Sequence, residues 1–509
     1  MRACLLGIDL GTSACKALLL STEGRILASA SAGYPVSQPR QRWVEQEPQA
    51  WIAAARLAVA RAMQSAGAVQ LLGIGLSGQM HGLTALDAQY RPLRPAILWN
   101  DQRNEMEAAE ITQAAGGLPA LLAQTGNRML VGYTGGKLLW MQKHEPHLYA
   151  RLRMVLNPKD YLRYVLTGEI ATEVSDASGT GLFDVRQRRW ADDLIRAAGL
   201  DPAHWPTCHE SQVVSGKVHA EAASLFGIAP GIPVIGGGGD SVIQSLGAGV
   251  VAPGGWQTTI GTAGILAAAL ERPLSSPDGR IQVFCNVAPD RWHAMGVSLN
   301  AGGALAWWRS AMQSPDSQEA PSFEAIVQAA AQSLPGARGL LFLPYLNGER
   351  CPHPDPAARA AFIGLTARHG FADLARSVLE GVVHSLCDMH ALMSAMGVAP
   401  GWVSTSGGGA RSAQWRQIQA DMLECEVVTR EGAAEGAALG AALLAGVGLQ
   451  IWPDVEHAAK LLPELTRQRP DPTRAALYRQ AHAIYQALYP LLSPSFQRLG
   501  DLAAQGEAQ

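Results

Sequence analysis

The chain opens on an apolar run, Cys4–Leu10, broken only by Asp9, and after Gly11-Thr12-Ser13 it returns through a second apolar run, Ala17–Leu20. Two short apolar runs around a glycine turn predict a strand, a tight turn and a returning strand. Glu23-Gly24 turns the chain again, into Arg25–Ala32. Trp51, Ala54, Leu57, Ala58 and Arg61 recur at helical spacing and predict a helix over Pro48–Ser65. Leu71–Leu76 predicts a further strand that ends in Ser77-Gly78-Gln79-Met80-His81-Gly82. Strands alternating with helices in this way indicate an α/β fold with a mixed sheet. The hairpin plan returns at Trp256–Leu270, with Gly261-Thr262-Ala263-Gly264 at the turn. The repeat is a weak trace of two domains built alike, and coincidence between two short hairpins is the competing reading.

A length of 509 residues exceeds one ordinary core, which predicts two domains. The boundary is expected near Gly231–Val251, where the strand Pro233–Ile235 leads into the glycine run Gly236–Gly239 and a helix over Ser241–Leu246. This gives domains 1–245 and 246–509. Helices are expected at Asp373–Met396 and Ser412–Leu423, and Gly432–Leu449 reads as a small-residue helix packed closely on a sheet of the second domain. A formal net charge of -3 creates no field that would favour nucleic acid or an anionic membrane. Seven scattered cysteines without a CxxC pair read as reduced thiols of a cytoplasmic protein. Asp9 interrupts the N-terminal apolar run too early for a signal peptide, and Gly436–Trp452 is short for a membrane span. Oligomeric state is left open, a homodimer among the options.

Phosphoryl transfer requires backbone donors around phosphate oxygens, a metal held by carboxylates and a base for the attacking hydroxyl. Three glycine-rich turns offer such donors: Gly11-Thr12-Ser13, Gly261-Thr262-Ala263-Gly264, and Gly407-Gly408-Gly409-Ala410-Arg411 before a helix capped by Ser412. Any one of them alone is more economically a steric turn. Gly135-Gly136-Lys137 is not a P-loop, because Val131 stands where the first glycine belongs and Leu138 replaces the hydroxyl residue. HExxH and GxSxG are also absent, which argues against zinc proteases and serine hydrolases. Asp9 and Asp240 stand at the end of a strand and of the glycine run. The bland alternatives are a turn residue for Asp9 and a helix cap for Asp240.

Taken together these residues resemble the FGGY carbohydrate kinases over nearly the whole chain. Gly7–Ser13 is similar to the family's first phosphate motif, Gly132–His144 to one signature, and Ala360–Leu365 with Asp373-Leu374 and Ser377–Glu380 to the other. The resemblance implies two ribonuclease-H-like (actin-like) domains with mixed sheets around a central cleft. Within the family, Ser77–Gly82, Trp43–Pro48, Ala96–Arg103 and Asn157–Leu162 resemble the xylulokinases, which implies ATP-dependent phosphorylation of D-xylulose.

Carried over position by position, the resemblance makes Asp240 the general base and Asp9 an acidic residue linked to Mg2+. Met80, His81, Trp99, Asp101 and Asp240 would bind the sugar. Gly11, Thr12, Ser13, Gly261 and Thr262 would face the phosphates of ATP, and Gly408, Gly409 and Ala410 the nucleoside. Three departures stand out: Ser241 in place of an asparagine, Ala263 in place of a serine, and Cys351 after Asn347-Gly348-Glu349-Arg350 in place of a threonine. The rival readings are a kinase of the same family acting on ribulose, gluconate or glycerol, and a non-catalytic actin-like nucleotide-binding protein.

Overall fold

The computed structural model describes residues 1–312, 320–399 and 401–507. The chain divides into two compact units. The first comprises Met1–Pro253, Ala269–Ala294 and Gly432–Pro463; the second comprises Gly254–Ala268, Met295–Glu431 and Glu464–Gln509.

In the first unit the expected hairpin is β1 (Arg2–Leu10) and β2 (Ala14–Ser21), continued by β3 (Ile26–Gly33). β1 runs parallel to β4 (Val69–Gly78), and β5 (Val214–Lys217), β6 (Pro233–Ile235) and β7 (Gly238–Gly239) complete a seven-stranded sheet. The strand order is β5-β6-β4-β1-β2-β3, with β7 paired to the far end of β4. Antiparallel β1–β2 beside parallel β1–β4 makes the sheet mixed, as expected. Successive strand residues point to opposite faces. Cys4, Leu6, Ile8 and Leu10 accordingly join Trp51, Ala54 and Ala58 of the helix Pro48–Ala66 in one buried cluster.

The helix Gly436–Gly448 lies on this first sheet rather than in the second unit, where the linear order had put it. The physical reason is steric. A Cβ built at Gly7 would stand 1.9 Å from the Ala438 carbonyl oxygen, and one at Gly75 would stand 1.8 Å from that of Ala441. Only glycines in β1 and β4 admit a helix backbone this close. The same helix meets the helix Asp240–Gly247 through Gly440, whose Cβ would fall 2.1 Å from the Ile243 carbonyl oxygen. The first compact unit therefore draws in Ala269–Ala294 and Gly432–Pro463 from beyond residue 245.

In the second unit β8 (Gly255–Ile260) pairs antiparallel with β9 (Gly264–Leu270) and parallel with β10 (Trp402–Gly407). β11 (Glu426–Arg430) and β12 (Glu464–Gln468) follow, in the order β9-β8-β10-β11-β12. The expected helices appear as Phe371–Ala395 and Ala413–Leu423, the second capped by the Ser412 side chain, which accepts from the Trp415 amide. Among the described residues no helix is long and apolar enough to cross a membrane.

Candidate active site

In the first unit, the parallel register of β1 and β4 sets Asp9 opposite Ser77, and the Ser77 hydroxyl donates to Asp9 Oδ1 at 2.8 Å. β7 pairs with the end of the same strand, Gly238 to Ser77 and Gly239 to Gly78, and so delivers Asp240 to the neighbourhood of Asp9. Each carboxylate keeps part of its surface open yet sits deep among protein atoms. Burial pushes Asp9 up, against the Ser77 hydrogen bond and the charge of Lys16. Burial, with the negative charge of Asp9 added, pushes Asp240 up to about 7, opposed by the Ser241 amide. The cap of the helix Asp240–Gly247 is Gly239, so Asp240 is its first residue and not its cap. One of its oxygens, Oδ1, accepts the Ser241 amide at 2.7 Å.

Met80 and His81 follow β4 directly, and both are buried. His81 holds a left-handed backbone, φ 67°, which is uncommon for a non-glycine residue and recurs at functional sites. Its ring stacks on Tyr133 and its Nδ1 lies 2.6 Å from the Gly179 carbonyl. A carbonyl only accepts, so Nδ1 carries a proton and donates it to Gly179. Lys137 donates to the His81 carbonyl at 2.7 Å from a fully buried position. The lysine that mimics a P-loop thus supports the loop of Met80 and His81. The Ser241 hydroxyl reaches Met80 Sδ at 3.1 Å, which gives this departure from the family pattern a contact beside the Met-His pair.

Trp99 is 39% exposed, and its indole donates to Thr12 Oγ1 at 2.9 Å. Asp101 differs from expectation. It is 1% exposed, its carboxylate is engaged by both Arg103 side-chain donors, and Val44 donates its amide to it. Arg103 in turn stacks over Trp43 with its guanidinium carbon 3.8 Å from the ring centre. Asp101 therefore anchors the loop that carries Trp99 and presents no free carboxylate. Gln46, not singled out in the sequence, donates to the Thr12 carbonyl at 2.6 Å and accepts from Gln79 at 3.0 Å, tying the first turn to the residue before Met80. Within that turn the Gly11 amide donates to the Ala14 carbonyl at 3.1 Å, while Ser13 is exposed.

In the second unit the turn at Gly261 closes through its amide on the Ala263 carbonyl at 3.0 Å. The amides of Ala301 and Gly303 donate to the Thr262 carbonyl, and that of Gly302 to Gly261, while Thr262 itself is exposed. Glu349 belongs to this half and was not picked out as a functional group. It accepts from the Ser298 hydroxyl and the Leu299 and Arg350 amides, and burial pushes it up to about 7. Gly408 is exposed, and a Cβ there would meet only the Ile260 carbonyl oxygen, at 3.8 Å. Gly409 is buried: its Cβ would collide with Ile260 at 2.7 Å, so packing accounts for that glycine. Ala410 is half-buried and accepts at its carbonyl from Arg416 at 2.6 Å.

A family model of the N-terminal domain of the FGGY family of carbohydrate kinases matches residues 4–247, and the model of the C-terminal domain matches 257–449. The chain is 40% identical over 496 residues to the xylulose kinase of Escherichia coli (strain K12), covering 96% of this chain and 99% of that one. It is 30% identical over 508 residues to the gluconokinase of Bacillus subtilis (strain 168), covering 98% of each. A crystal structure of a xyloylose kinase from Brucella ovis superposes with a TM-score of 0.89 at 36% identity, covering 96% of this chain and 99% of that one. The expectation of two actin-like α/β domains with mixed sheets stands with these likenesses.

Proposed function

Because the chain belongs to the FGGY family of carbohydrate kinases, we propose that it transfers the γ-phosphoryl group of ATP to the terminal hydroxyl of D-xylulose, forming D-xylulose 5-phosphate and ADP. The observation that carries this reading is the pair of half-buried carboxylates, Asp9 and Asp240, brought beside the Met80-His81 loop by two pairings to one strand. A pure nucleotide binder has no use for a carboxylate poised near neutrality. Likeness to xylulose kinases over nearly the full length supports the sugar, and the Met-His pair speaks against glycerol.

Asp240 accepts the proton of the attacking hydroxyl. In a loose phosphoryl-transfer transition state that proton leaves late, so a carboxylate suffices. His81 hydrogen-bonds a sugar hydroxyl through Nε2, and Met80 and Trp99 pack on the carbon skeleton. The amides of Thr12, Ser13 and Thr262, in turns that Gly11 and Gly261 close, hold phosphate oxygens, and the exposed Gly408 with Ala410 admits the nucleoside.

Asp9 suits Mg2+. It is a hard oxygen donor, and a cation would relieve the negative charge by which Asp9 raises the proton affinity of Asp240. Magnesium is commonly held by one or two carboxylates together with nucleotide phosphates. When bound, the ion neutralises charge on the phosphates. Supply of ATP and seven unbridged cysteines support a cytoplasmic setting.

A coupled assay of ADP release over D-xylulose, D-ribulose, gluconate and glycerol tests the proposal. D-xylulose is expected to give the highest kcat/KM. A preference for gluconate would move the chain to its gluconokinase relatives, and sugar-independent behaviour throughout would leave only nucleotide binding.

A further inference from the structure

The segment before Asp240 is Gly236-Gly237-Gly238-Gly239, four residues with no side chains to hold them. Glycine is the least ordered residue in the unfolded chain and the least able to fix its own backbone. A carboxylate that must be placed to a fraction of an ångström therefore hangs from the most pliable stretch available, and something outside the stretch has to hold it.

Buried side chains do so at both ends. Lys159 donates to the Gly236 carbonyl at 3.4 Å, and the Ser175 hydroxyl accepts the Gly239 amide at 3.0 Å. Ser175 Oγ then donates to Glu173 Oε1 at 2.9 Å. Glu173 also accepts the amides of Ser175 and Asp176 and the hydroxyl of Ser211. Lys159 lies 2.6 Å from Asp160, 3.4 Å from Asp176 and 3.5 Å from Glu173. Ser175, Glu173, Lys159, Asp160 and Asp176 are all fully buried.

Stability alone does not account for such a cluster, because buried ion pairs are commonly matched or bettered by apolar packing. A hydrogen-bonded polar network does fix geometry, and Glu173, the partner of Ser175, accepts four hydrogen bonds. We propose that Ser175 is a positioning residue for Asp240, acting through the Gly239 amide and itself oriented by Glu173; the proposal rests on the phosphoryl-transfer reading above.

The test is a double-mutant cycle on the full-length enzyme with saturating ATP and D-xylulose. Ser175→Ala is expected to lower kcat roughly 10–100-fold, the scale of a sub-ångström to ångström misplacement, with both KM values changed less than about twofold. Ser175→Thr, which keeps the hydroxyl, should recover most of the loss. In an Asp240→Asn background, Ser175→Ala should change turnover less than about twofold, because the group it positions is already disabled. A role confined to folding would instead lower kcat by the same factor in both backgrounds. Such additivity overturns the proposal, as does a kcat for Ser175→Ala within about twofold of wild type.

Should the variants not fold, amide hydrogen exchange of the wild-type protein decides. The Gly239 amide is expected to be protected, and exchange at the rate of an open loop would overturn the anchor. If D-xylulose is not turned over, the substrate assignment fails separately, and the same cycle runs on the best sugar of the panel.

Discussion

In the first unit Asp9 is the penultimate residue of β1 and faces Ser77 of the parallel strand β4; in the second, Thr259 is the penultimate residue of β8 and faces Ser406 of the parallel strand β10. Each strand then ends in an apolar residue, a glycine turn and an antiparallel return. The hydrogen bond between the facing side chains is also kept, 2.8 Å from Ser77 to Asp9 and 2.9 Å between Thr259 and Ser406. What differs is charge. One hairpin plan used twice carries a carboxylate in the first unit and a neutral hydroxyl in the second. Under the proposed function the asymmetry has an electrostatic reason, because a second carboxylate beside a polyphosphate would repel it.

The largest effect expected from breaking this asymmetry is at Asp240. Asp240→Asn keeps the shape and a hydrogen bond but cannot take a proton, so kcat should fall roughly 10²–10⁴-fold with the KM for sugar nearly unchanged. Steady-state kinetics on folded protein checks it, and near wild-type turnover would return Asp240 to the role of a helix-terminus partner. The pH profile is part of the same expectation. The base must be ionised, so kcat/KM should rise with pH to a plateau through an apparent pKa of about 7. Asp9 interacts with this group, so the midpoint belongs to the pair.

Next in size is the paired comparison of Asp9→Asn with Thr259→Val. Asp9→Asn should raise the magnesium concentration for half-maximal rate and lower turnover roughly 10–100-fold. Thr259→Val, at the equivalent place, should leave the magnesium response unchanged and cost about 1 kcal/mol of stability. Equal magnesium responses in the two variants would erase the distinction between the halves.

Smaller effects should separate the ligands. Gly408→Val adds a Cβ in ordinary contact with the Ile260 carbonyl oxygen, at 3.8 Å, and should fold normally, while raising the Kd for ATP about tenfold, or ~1.4 kcal/mol. Calorimetry showing unaltered ATP affinity would remove Gly408 from the nucleoside site. His81→Ala should raise the KM for D-xylulose roughly 2–10-fold, from a lost hydrogen bond of about 0.5–1.5 kcal/mol, with ATP binding intact.

The last effect is on folding and not on catalysis. A carboxyl group whose folded-state pKa is raised binds protons more tightly folded than unfolded, so stability falls as pH climbs from about 4 to about 7 and is level above. Asp240→Asn abolishes that penalty and should raise stability at pH 8 by on the order of 1–4 kcal/mol, read as a higher Tm, while leaving Tm at pH 4 nearly unchanged. A lower Tm at pH 8 would mean that the carboxylate stabilises the fold.

Much of the site was legible because its residues are punctuation. Asp9 and Asp240 interrupt apolar or glycine runs, Met80-His81 ends a strand, and Gly408 breaks a strand from a helix. The residues that were missed, Ser77 as partner, Gln46, Glu173 and Ser175, are ordinary polar residues whose meaning is a distance to something far along the chain. Asp101 shows the same limit: its block resembles a sugar contact, and only the structure reveals that its carboxylate accepts from Val44 and Arg103.

The sequence by itself determined the two hairpins, the alternation of strands and helices, and the family signatures. These rest on local periodicity and on glycine at turns, which neighbouring residues decide. Only the tertiary structure decided that Gly436–Gly448 returns to the first sheet, because that depends on glycines at 7 and 75 opening room for a helix more than 350 residues away. Only it placed Asp240 beside Asp9, because strand register is set by which edges meet, and hydrophobic patterning does not name the partner.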